Sequence, residues 1–175
     1  MLLNILCSGA VSINVLEIKE EANLKKYQVL NNLDKAWQQL KESYIGLTES
    51  QMTQQGVTGD WSVYEILAHV TTWEEEALKS LPLIMQGRKL PRYKDQYGGL
   101  DAFNALMTEK KRSLSLSDIL KQFEATHQQL IAYIHGAPEE MFTTETRFRH
   151  RLRLDTYSHY PVHTKAILAW GEHFN

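Results

Sequence analysis

Apolar residues in this chain recur mostly at alternating steps of three and four, the period of a helix with one inward face. Leu30, Leu33, Trp37, Leu40, Tyr44 and Leu47 form the first such stripe and predict a helix over about 20–47. The polar stretch 51–59 carries Gly56 and Gly59 and reads as a loop. A second helix should begin at Ser62, which can cap it. Glu65 completes a capping box, and Trp61 and Ile66 are spaced for a hydrophobic staple. Its stripe passes through Ile66, His69 or Val70, Trp73 and Ala77 and ends near Pro82. Stretch 83–99, punctuated by Pro91, Gly98 and Gly99, reads as a crossover connection, followed by a short helix over 100–111.

A third long helix follows Ser115 or Ser117, with Asp118 in its first turn, where the helix dipole favours an acid. Leu116, Leu120, Phe123, His127, Leu130 and Ile134 are its inward stripe, and Gly136 with Pro138 stops it. Over 147–154 the pattern changes to strict alternation. Arg147, Arg149, Arg151 and Arg153 fall on one side, and Phe148, His150, Leu152 and Leu154 on the other, which predicts an extended segment. The last helix runs to about 174. Ser158 as its N-cap would put Pro161 in the first turn, where the missing N–H is harmless, whereas Asp155 as cap would kink it. Four main helices, a long crossover between the second and third, and no run of strands predict an all-α four-helix bundle.

The chain has 175 residues, enough for one domain with one sizeable core; we expect that domain over 21–175, after an N-terminal extension over 1–20. A formal charge of −2 gives no general attraction to nucleic acid or to anionic membrane, and although the four arginines of 147–153 with Phe148 could touch nucleic acid, no second basic patch supports them, so neither is expected as a partner. The single cysteine, Cys7, excludes an internal disulfide framework and has no base beside it to make it a nucleophile. Residues 1–18 are apolar but hold no Lys or Arg before Lys19, and polar residues from Asn4 to Asn14 interrupt them. They fit neither a secretory signal nor a membrane span, and we expect a cytoplasmic protein.

Candidate chemistry centres on histidine. His159 and His163, four apart, face the same way on a helix and make half a metal site; His69 on the second helix could supply a third ligand. Three ligands leave a position for water or substrate, the pattern of a catalytic site. Equally, an inward His such as His69 can be a hydrogen-bonded core residue. His127 is either a fourth ligand or a core histidine, and His135, His150 and His173 read as surface residues. Glu65 could act as a base, although capping accounts for it. The pair lacks the glutamate of HExxH, which argues against a zincin protease. The arginine side over 147–153 could attract an anionic substrate or a thiol's carboxylates, or could be a solvated edge.

Gly59-Asp60-Trp61-Ser62-Val63-Tyr64-Glu65-Ile66-Leu67-Ala68-His69-Val70-Thr71-Thr72-Trp73-Glu74 resembles the second-helix signature of the DinB/YfiT-like superfamily. Gly99-Leu100-Asp101-Ala102-Phe103-Asn104-Ala105, and Asp155-Thr156-Tyr157-Ser158-His159-Tyr160 with His163, resemble later blocks of the same pattern, and the chain is most similar to the ClbS/DfsB-type branch. The resemblance covers about 30–170. It implies a bundle holding a divalent metal through one histidine of the second helix and an HxxxH pair of the last, positions that fall on His69, His159 and His163. Relatives of known activity include transferases and isomerases that use bacillithiol or mycothiol, and proteins that protect against a reactive small molecule. The expectation is therefore a metal-dependent enzyme that acts on a small electrophile by thiol transfer or hydrolysis. Its cofactors would be a divalent ion (Zn, Ni, Mn or Fe, which three histidines do not distinguish) and a low-molecular-weight thiol. The alternatives are a non-catalytic small-molecule binding protein and a structural homodimeric bundle.

Overall fold

The computed structural model describes residues 15–174. Its helices are α1 (Val15–Ser43), α2 (Glu49–Thr53), α3 (Val63–Met85), α4 (Tyr93–Tyr97), α5 (Leu100–Lys111), α6 (Leu116–Gly136), α7 (Arg147–Asp155) and α8 (Tyr160–Gly171). The four main helices expected become α1, α3, α6 and α8, the bundle, while α4 and α5 lie in the crossover between α3 and α6. Among the described residues there is no strand, and no helix is long and apolar enough to cross a membrane. Residues 1–14, with Cys7 and most of the expected extension, lie outside the described residues.

The centre of the packing is α3, which meets α5, α6, α7 and α8. Its start follows the capping box: Ser62 N donates to Glu65 Oε2 at 2.7 Å, and Glu65 N donates to Ser62 Oγ. Its end differs from expectation. The helix continues through Pro82 to Met85 and stops where Gly87 takes φ 73°. Gly87 N then donates to Ile84 O and Arg88 N to Leu83 O, a Schellman motif that pairs the last carbonyls. Leu81 and Ile84 stay buried by this extension, and their burial outweighs the lost proline hydrogen bond. Stretch 51–59 also begins differently, since α2 is a helical turn with its own capping box between Thr48 and Gln51.

The segment expected to be extended, 147–154, is helical and forms most of α7. Thr146 caps it by accepting from Arg149 N at 3.1 Å. The alternation hid a helical face: Phe148, Leu152 and Asp155, at i, i+4 and i+7, are buried against α3, whereas Leu154 is 52% exposed. Arginine is a good helix former, so nothing local opposes this choice. A turn through Thr156 then feeds α8. His159, rather than Ser158, is the cap residue, and Pro161 falls in the first turn.

Candidate metal centre

Three elements bring the three histidines together. His69 lies on α3, His159 on the turn before α8, and His163 one turn further on. His159 Nε2 is 3.1 Å from His69 Nε2 and 2.8 Å from His163 Nε2. All three ligand atoms fall within 4.8 Å of one another. Tetrahedral ligands at about 2.0–2.1 Å from one cation stand roughly 3.3–3.4 Å apart, so the separations of 3.1 and 2.8 Å are a few tenths of an ångström shorter than such a set.

Each ring is held in the ligating, neutral form. Burial, with the neighbouring imidazoles, pushes His69 down to about 2 and His163 to about 3. Burial alone takes His159 to about 4. Protons do not satisfy the cluster well. If His159 Nε2 accepts from both neighbours, two N–H groups compete for one lone pair, and the His159 proton sits on Nδ1, which is buried and makes no hydrogen bond. A cation receiving three lone pairs would end that competition at Nε2, with the His159 proton still on Nδ1. The residues therefore fit a divalent metal.

Beside His69 and His159 opens a pocket of about 390 Å³, walled by Trp73, Tyr93, Leu100 and Leu154, with Asn104, Arg151 and Asp155 as its other polar groups. Arg151 Nε donates to Asp155 Oδ2 at 2.5 Å and its Nη2 to Tyr93 Oη at 2.9 Å, while its guanidinium lies 5.6 Å from the Trp73 ring centre. Burial pushes the Asp155 carboxyl up to about 7, even against the pull of Arg151. Asn104 Oδ1 is buried and has no partner. The expected arginine side is not one face: only Arg151 lines the pocket, Arg149 and Arg153 approach Glu145, and Arg147 Nη2 donates to Arg88 O. Asp155, Asn104 and Tyr93 come from three elements, so no local pattern marked them as one site.

His127 does not join the cluster. Its Nδ1 is 2.7 Å from Glu74 Oε1, which also accepts from the Tyr160 hydroxyl, and its ring stacks on Trp37 at 3.6 Å. That is the hydrogen-bonded core histidine of the two readings. His135, His150 and His173 are exposed, as expected. The Glu65 carboxylate is engaged in the α3 cap.

A family model described as the DinB superfamily matches residues 32–165. Solved structures share the fold at low identity. The sibling lethal factor precursor DfsB aligns at TM-score 0.73 and 18% identity, over 86% of this chain and 96% of its own. An uncharacterised protein from Escherichia coli UTI89 aligns at 0.72 and 15%, over 86% and 94%. The colibactin self-resistance protein ClbS, in complex with dsDNA, aligns at 0.72 and 15%, over 84% and 95%. No curated protein matches the chain at a significant level. The ClbS complex overturns the expectation that nucleic acid is excluded as a partner. That expectation rests on the net charge and on the lack of a second basic patch in the sequence, but contact with phosphates depends on where cations cluster in space, which neither a whole-chain sum of −2 nor a local pattern registers.

Proposed function

This chain belongs to the DinB superfamily, and on that premise we propose that it is a metal-dependent enzyme acting on a small electrophilic molecule. One observation carries the reading: three neutral imidazoles converge on one point at the edge of a solvent-open pocket. His69, His159 and His163 would hold the ion, and Zn, Ni, Mn and Fe all suit such a set. The chemistry a bound ion supplies is a lowered pKa for water or a thiol, and polarisation of a carbonyl. The chain's own residues do the rest. Trp61, its ring 4.8 Å from that of His69, and Trp73 shield the histidines from bulk water. Asp155, tied to Arg151, is a buried carboxyl that exchanges a proton near neutrality at the pocket wall. Hydrolysis and transfer of a low-molecular-weight thiol both fit this arrangement.

The test is metal analysis of untagged protein after equilibration with zinc and dialysis. One equivalent in the wild type, lost in His69→Ala and His163→Ala, supports the site; less than about a tenth of an equivalent in the wild type rejects it. Turnover of an electrophile, with and without added thiol, then separates an enzyme from a protein that only sequesters its ligand.

A second reading, DNA binding, draws on ClbS and on one feature of this surface. Arg88, Lys89, Arg92 and Lys94 on the crossover and Arg147 on α7 are all exposed, and the bond from Arg147 to the Arg88 carbonyl brings the two segments side by side. Anisotropy of a labelled duplex checks it. Affinity should fall steeply with salt, and Arg147→Ala should flatten that slope by about one phosphate contact. Absence of binding at low salt would reject it.

A further inference from the structure

We infer that the pocket beside the histidines takes a neutral, flat molecule with an amide-like edge and turns away anions of the same shape. The inference rests on reading this pocket as the substrate site, but not on the metal. Its first support is the charge of the walls. Arg151 is the one cation among the lining residues, and it is already matched: Asp155 holds Nε at 2.5 Å and Tyr93 holds Nη2 at 2.9 Å. Tyr93 in turn donates to Glu76 Oε2 at 3.1 Å, so more negative charge lies behind it. An anion entering would lose its hydration and find no unmatched positive charge.

The second support is Asn104. Its Oδ1 is a buried acceptor with no partner, on α5 at the pocket wall. A side-chain amide offers a donor and an acceptor side by side, which a carboxamide or lactam edge matches with two hydrogen bonds. A carboxylate has no proton to give and would set oxygen against oxygen. The third support is the shape of the wall. The Trp73 and Tyr93 rings stand 5.6 Å apart, tilted by 53°, and Leu100 and Leu154 complete an apolar surface suited to a flat molecule. A nucleophilic thiol bearing carboxylates would have to keep them outside this pocket, so the inference favours water over an anionic thiol as co-substrate.

Benzamide and benzoate are the probes, isosteric and differing in charge. Their binding to the full chain is measured by calorimetry or ligand-observed NMR, at about pH 8, where the Asp155 carboxyl is ionised. The discriminating arm uses chelator-treated protein, because benzoate can ligate a bound ion. Benzamide should bind about tenfold more tightly than benzoate or better, and Asn104→Leu should bring the two within roughly threefold. Asn104→Ala guards against a steric effect of leucine, and circular dichroism confirms that both variants keep their helices. Equal or tighter benzoate binding, an unchanged ratio in both variants, or no binding of either probe would overturn the inference. Zinc loading of the same samples keeps the two readings apart. Benzamide preference without zinc uptake leaves this inference standing and removes the metal, whereas zinc uptake without probe binding does the reverse.

Discussion

Two buried histidine clusters lie side by side in this bundle, and they are built on opposite principles. On α3, His69 and Glu74 are five residues apart; at the start of α8, His159 and Tyr160 are adjacent. His69 joins His159 and His163, three bases with no acid among them. Glu74 joins His127 and Tyr160, a carboxylate accepting from both partners at the same oxygen. One cluster is closed in that its donors end on an acceptor inside it, Glu74 Oε1, although Glu74 Oε2 has no partner. The other is open, with three imidazole nitrogens that have only one another as partners. Burial alone therefore does not identify a site. His69 and His127 are both 6% exposed, and what separates them is the partner.

If the open cluster is a ligand set, removing one histidine should remove the metal and leave the fold. His69→Ala or His163→Ala should weaken zinc binding by more than roughly 100-fold, beyond the loss typical of a supporting residue. The melting temperature of the metal-free protein should change little, because the deleted ring had no acid to leave behind. Competition with a chromophoric chelator reads the affinity. A collapse in metal-free stability instead would place the three histidines with the closed cluster, as core residues.

The closed cluster should respond in the reverse order. Glu74→Ala strands His127 and the Tyr160 hydroxyl in the core, at a cost of about 2–3 kcal/mol of unfolding free energy, whereas Glu74→Gln keeps an acceptor and should lose about half of that. Because the Tyr160–Glu74 bond ties α8 to α3, metal affinity should drop too, but by about tenfold or less. Urea titration with and without zinc separates the two effects. A loss of metal binding as complete as that of His163→Ala would erase the distinction between the clusters.

Acidity distinguishes them as well. The unfolded chain takes up protons on histidine near pH 6.5, while the folded open cluster refuses them until about pH 4 at His159 and lower at the other two. Between those values the unfolded state binds more protons, so stability should fall as pH drops below about 6.5. The slope is about 1.4 kcal/mol per pH unit for each proton refused. Bound zinc, which needs the same neutral rings, should make the fall steeper. In the Glu74 cluster burial raises the carboxyl, and its bonds to His127 and Tyr160 oppose that rise. Urea midpoints at pH 7.5, 6.5 and 5.5 (about one unit either side of free histidine) measure the slope in wild type and in His163→Ala, which should lose part of it.

How much of this was legible beforehand follows the same division between local and distant partners. The α3 cap, the three inward stripes of α1, α3 and α6 and the four-residue spacing of His159 and His163 are local patterns, and each is read from a few neighbouring residues. The helix at α7 was not legible, because Arg147 to Leu154 satisfies a period of two and a period of 3.6 at once. Only the burial of Phe148 and Leu152 against α3 decides between them. Glu74 as the partner of His127, 53 residues away, and the meeting of Asn104, Arg151 and Tyr93 at one pocket are products of packing, with no local signal.

The smallest effect offers the sharpest comparison. His127 contributes a hydrogen bond to Glu74 and a face to Trp37, with the two rings nearly parallel at 2°. His127→Gln keeps a donor that can reach the carboxylate and gives up the stack, so it should cost about 1 kcal/mol. Zinc affinity should stay within about twofold, since Glu74 still holds Tyr160 and α8 keeps its place on α3. That outcome would mark the closed cluster as a brace whose inner half, Glu74 and Tyr160, matters to the metal helix and whose outer half does not. A tenfold or larger fall in zinc affinity, measured by the same chelator competition, would show strain passing from His127 through Glu74 to α8, and the two clusters would then have to be treated as one unit.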